Sequence, residues 1–138
     1  FPKSLFIVEG GFSEDFKNYG WEDLEFGYRL KKRNVPLYYL PAAVNYHYHV
    51  ITDEEKAERK YVMGQSAQIF INKHPELKTF LGLNPISTFL RKQLSKKHLI
   101  FRIIQKLTKS KFKGFQSFSY WFLGEYNYLS GLLNLSRD

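Results

Sequence analysis

The sequence predicts an α/β fold, mostly helical, with two or three short strands. Apolar residues recur at helical spacing from Glu22 onward and again beyond Pro85. Thr52-Asp53-Glu54-Glu55 has the form of a capping box and opens a further helix. Between these stretches, Val35 to Leu40 and Val44 to Val50 are rich in β-forming residues, as strands are.

Taken in order, Phe1 to Val8 is an opening segment whose Leu5-Phe6-Ile7-Val8 run reads as short, apolar and buried. The absence of an initiator methionine before Phe1 predicts a processed or excised piece of a longer chain. Gly10-Gly11 reads as a turn, and Ser13 as the N-cap of a short helix. The run from Tyr19 to Leu30 then gathers three carboxylates, a tryptophan, two glycines and an arginine. Gly20 releases the backbone from ordinary steric limits. From Glu22 the spacing puts Trp21, Leu24 and Tyr28 on one side of a helix, with Glu25 and Arg29 four apart as an ion pair. Glu22 and Asp23 fall in the first turn, where the helix dipole favours negative charge. An aspartate there, beside a glutamate and an aromatic wall, can take a proton from a hydroxyl or hold a cation. First-turn acids are also common for purely structural reasons, and spacing does not separate the two readings.

Lys31-Lys32-Arg33 closes this helix with positive charge, and Asn34 suits a left-handed exit. Val35 to Leu40 reads as a strand bounded by Pro36 and Pro41. Val44 to Val50 alternates, with Asn45, His47 and His49 on one face. Two histidines at i and i+2 suit either a metal site or a polar strand face. The helix opened by Thr52 runs to about Lys73 and stops at His74-Pro75, with His74 as a C-terminal cap. Asn84-Pro85 has the order of an N-cap and first helical residue. Beyond it Ile86, Phe89, Leu90, Leu94, Phe101, Ile104 and Leu107 sketch an apolar stripe, and after Gly114 the chain becomes aromatic and leucine-rich.

At 138 residues the chain suits one domain with a real core, and 43% hydrophobic content excludes a disordered chain. No cysteine is present, which excludes disulfides and thiol chemistry and leans towards a reducing compartment. No run reaches the roughly 18 apolar residues of a membrane span. The net charge of +8 is uneven: acids and bases nearly cancel up to Glu76, whereas no acid lies between Glu76 and Glu125. Ten lysines and arginines fall in that interval. The asymmetry suits either a polyanionic partner for residues 77–138 or a solvated basic face over an aromatic core; among partners an anionic membrane surface ranks above nucleic acid, because no nucleic-acid motif accompanies the charge.

Three blocks carry a resemblance. They are Gly10-Gly11-Phe12-Ser13-Glu14-Asp15-Phe16, then Gly20-Trp21-Glu22-Asp23-Leu24-Glu25-Phe26-Gly27-Tyr28-Arg29-Leu30, then Pro41-Ala42-Ala43-Val44-Asn45-Tyr46-His47-Tyr48-His49. In order and spacing they resemble the C-terminal half of family 2 glycosyltransferases of the GT-A fold, over roughly residues 1–75. The resemblance implies that residues 1–76 form the acceptor and catalytic half of such a domain, with 77–138 a basic helical extension. It implies an inverting transfer from a nucleotide-sugar to a glycan or lipid-linked acceptor, in surface polysaccharide synthesis. Asp23 would be the general base, Glu22 and Trp21 would hold the acceptor, and Gly10 and Gly11 would lie beside the donor sugar. His47, with His49 as second choice, would help to hold a divalent cation, Mn2+ or Mg2+, in the intact enzyme. Two departures are mild: Ser13 replaces the family's usual Asp, and Asn34 its usual Gly. One absence is larger. The chain has no Asp-x-Asp motif and no nucleotide-binding strand-helix units, so these residues alone are expected to be inactive. The implied location is cytoplasmic, peripheral on the inner face of the plasma membrane. The alternative expectation is a non-catalytic basic module on an anionic membrane or another polyanion.

Overall fold

The computed structural model describes residues 2–46, 48, 50–93 and 99–135. Its elements are α1 (Lys3–Val8), α2 (Glu22–Lys32), α3 (Asp53–Lys73), a 3-10 turn (Pro75–Leu77), α4 (Pro85–Gln93), α5 (Leu99–Leu107) and α6 (Lys113–Leu132). The expected α/β class is therefore corrected to all-α, since no strand occurs among the described residues. A strand needs a neighbour to pair its N–H and C=O groups. Residues 35–40 are irregular chain without one, and Pro36 and Pro41 remove two donors. Tyr39 and Tyr46 stand 90% and 91% exposed. β-propensity measures the fit to a half-buried sheet surface, and no such surface meets these side chains. With the strands goes the sheet edge that the resemblance implied.

The helix signals fare differently because they are local. The Thr52 hydroxyl accepts the Glu55 N–H at 3.1 Å, and the Glu55 carboxylate accepts the Thr52 N–H at 2.8 Å. Asn84 Oδ1 accepts the Ser87 N–H at 2.9 Å and caps α4. Asn34 leaves α2 at φ 56°, in the left-handed region. Two readings near the start are corrected. Leu5 to Val8 belongs to α1, whose Ile7 and Val8 face solvent, while Phe6 meets Phe12 and Phe26 edge-to-face. Ser13 accepts the Asp15 N–H in a turn, and no helix follows.

The central pair is α3 and α6. Ala57, Tyr61 and Gly64 meet Gly124, Gly131 and Leu132 in ascending order, so the two helices run parallel. A Cβ at Gly64 would overlap the Tyr128 carbonyl oxygen, and one at Gly131 would overlap that of Tyr61. Only hydrogen fits there, and the glycines bring the backbones into contact. Ala67, Phe70, Ile71, Leu81 and Leu132 form the core below this crossing, with Phe16, Trp21 and Tyr28 packed against it. Residues from both sides of position 77 share it. The apolar stripe expected beyond Pro85 divides: Phe101 and Ile104 are buried, Ile86, Phe89 and Leu90 are exposed, and Leu94 lies outside the described residues. No helix among the described residues is long and apolar enough to cross a membrane.

Candidate functional site

Two consecutive left-handed residues, Gly20 at φ 101° and Trp21 at φ 77°, turn the chain into α2. For tryptophan this conformation costs about 1–2 kcal/mol. It is held because the indole N–H donates to the Met63 carbonyl at 3.0 Å and the ring lies against Phe70 and Tyr128. Strain of this kind, fixed by its surroundings, gathers at functional sites. Here it aims the first turn of α2, which begins with Glu22 and Asp23. Asp23 is exposed: its Oδ1 accepts the Leu24 N–H at 2.7 Å, and no cation among the described residues pairs with it. Glu22 is half-buried, and its Oε2 is buried without a hydrogen-bond partner among the described residues. A buried carboxylate oxygen left without a partner costs more than a paired one.

One turn further on, Glu25 is 1% exposed and sits on the same face as Trp21 and Tyr28. Its carboxylate accepts Arg29 Nε at 3.0 and 3.1 Å and lies 3.0 Å from His74 Nε2. The two guanidinium ends of Arg29 donate to the Glu9 and Gly11 carbonyls. Arg29 thus fastens the Gly10-Gly11 turn, whose residues stand at φ 74° and 63°, to the side of α2. His74 Nδ1 is 3.5 Å from Lys32 Nζ. A carboxylate only accepts, so His74 Nε2–H donates to Glu25. Lys32 also bonds Glu76, and with the Tyr28 hydroxyl it holds that carboxyl down at about 2.

The structure therefore gathers Trp21, Glu22 and Asp23 at the head of α2 and joins the Gly10-Gly11 turn to the same helix. The join is at Arg29, six residues from Asp23 and so about 9 Å along the axis and about 120° around it. His47 and His49 lie outside the described residues. Among the described residues no three His, Asp or Glu side chains form a metal-sized group. Two clefts, of about 280 and 600 Å³, open elsewhere, along the amino-terminal half of α3. None of Gly10, Gly11, Trp21, Glu22 or Asp23 lines either.

The sequence reading names His74 as the C-cap of α3, which it is, but misses that it is also a buried partner of Glu25. A signal was present: Glu25, four after Trp21 and three before Tyr28, shares their apolar face, and a buried acid requires partners. Comparison with family models, characterised proteins and solved structures yields no match.

Proposed function

We propose that the chain is the acceptor side of a glycosyltransferase, with Asp23 as the general base of an inverting transfer from a nucleotide-sugar. The observation that carries the reading is the exposed carboxylate of Asp23 at the head of α2, which no cation among the described residues pairs. In the reaction, Asp23 takes the proton of the acceptor hydroxyl as its oxygen attacks the anomeric carbon and the nucleoside diphosphate leaves. Glu22 accepts a neighbouring hydroxyl of the acceptor. Trp21 supplies the apolar wall, its inner face already committed to Phe70 and Tyr128. The donor would be held chiefly by parts of a transferase that this sequence does not contain.

Turnover with a panel of nucleotide-sugars, in the protein encoded by the whole reading frame, tests this. Asp23→Asn should lower turnover roughly 10²–10⁴-fold, the usual contribution of a general base, with circular dichroism unchanged. Glu22→Gln should raise the acceptor KM more than it lowers kcat. Turnover retained in Asp23→Asn, or a wild-type protein that transfers sugar from no donor, overturns the assignment.

A further inference from the structure

The helices α4 and α5 carry apolar side chains on faces turned away from the protein. On α4, Ile86, Phe89 and Leu90 share an arc of about 100°, and Ile86 and Phe89 are 72% and 61% exposed. The residue that α4 turns inward is an arginine. Arg91 is buried, donates Nε–H to the Ser130 hydroxyl at 2.7 Å and lies 4.0 Å over the Tyr126 ring. On α5, Phe101 and Ile104 are buried, with Phe101 against Tyr126. A second apolar arc, Leu99, Ile100 and Ile103, again about 100° wide, faces out, with Leu99 67% exposed. The charged side of α5 does not compensate, for Arg102 and Lys106 line the 600 Å³ cleft opposite Glu54 and Glu58 of α3.

Charge decides what covers these arcs. No acid occurs between Glu76 and Glu125; of the cations nearest the arcs, Lys92 on α4 and Lys109 just beyond α5 are exposed to solvent, whereas Arg91 is buried. A second copy of this chain would bring like charges together. An anionic lipid surface instead takes the apolar side chains among its acyl chains and the cations among its headgroups. We infer that α4 and α5 lie flat on an anionic membrane, with Ile86, Phe89, Leu90, Leu99, Ile100 and Ile103 entering the headgroup boundary. Neither helix spans. The inference stands whether or not Asp23 is a base.

Flotation of the 138-residue chain with vesicles tests it, using phosphatidylcholine alone and phosphatidylcholine mixed with phosphatidylserine. Binding should require the anionic lipid and weaken as salt rises. The double variant Phe89→Ser, Ile103→Ser should bind at least about tenfold more weakly, with unchanged circular dichroism because both side chains are exposed. Equal binding to both vesicles overturns the inference. Salt-sensitive binding that the double variant leaves intact assigns the surface to charge alone and overturns it too. Absence of vesicle binding, with a dimer in sedimentation equilibrium that the double variant dissociates, makes a second copy the occupant.

Discussion

Glu25 shows how one buried acid organises this chain. It is almost wholly buried and reaches Arg29 on its own helix and His74 at the end of α3. Arg29, whose side chain is 22% exposed, passes the connection on to the carbonyls of the Gly10-Gly11 turn. Removing one partner of such a buried pair leaves an uncompensated charge, which costs about 3–5 kcal/mol. Glu25→Gln keeps the shape and loses only the charge, so it should destabilise by about 3 kcal/mol. The measurement is the urea midpoint at constant slope. A loss below about 1 kcal/mol, the worth of an ordinary surface pair, would mean that Arg29 finds its compensation elsewhere. Asp23, two residues earlier, carries no such link, and Asp23→Asn should cost at most about 1 kcal/mol, the worth of a first-turn charge.

The same contrast between local and distant causes governs the elements. At the crossing of α3 and α6, Gly64→Ala and Gly131→Ala each gain about 1 kcal/mol in helix propensity but drive a Cβ into a backbone oxygen of the other helix. Backbone cannot swing aside as a side chain can, so overpacking of about 1–3 kcal/mol or more should prevail. Both variants should melt below wild type. Gly27→Ala, where a Cβ meets nothing, should not fall and should serve as the control. A Gly131→Ala protein as stable as wild type would refute the close crossing. These elements also mark what the sequence makes legible. The starts of α2, α3 and α4 could be read because a cap, a first-turn acid or an Asn-Pro pair acts within four residues. The expected strands do not form over 35–40 or over the described residues of 44–50, because β-forming residues report a surface that must be supplied by other chain. The parallel pairing of α3 with α6 was out of reach, since it joins segments some 70 residues apart, as Tyr61 and Gly131 are. At the head of α2 the acids were legible, but not that Glu22 would be left with an unpaired oxygen or that Trp21 would turn its ring into the core.

For the molecule as a whole, two exposed carboxylates couple folding to acid. Lys32 and the Tyr28 hydroxyl hold Glu76 at about 2, below its ordinary 4.5, and so tie α2 to the turn after α3. Lys73 lowers Asp15 in the same direction and ties the loop before α2 to the end of α3. A carboxyl whose folded pKa is depressed stabilises above its unfolded value and loses that contribution as pH falls through the folded one. For Glu76 the window runs from 4.5 down to about 2. Protonation there releases Lys32, which remains beside His74 and the Tyr28 ring without its acid. Glu76→Gln should therefore be less stable than wild type above this window and should show a flatter loss across it. Adding Asp15→Asn should flatten the curve further, because the two links share no residue. Urea midpoints followed through the window decide the matter. Parallel curves for wild type and both variants would show that the acid sensitivity of the fold does not arise at these two links.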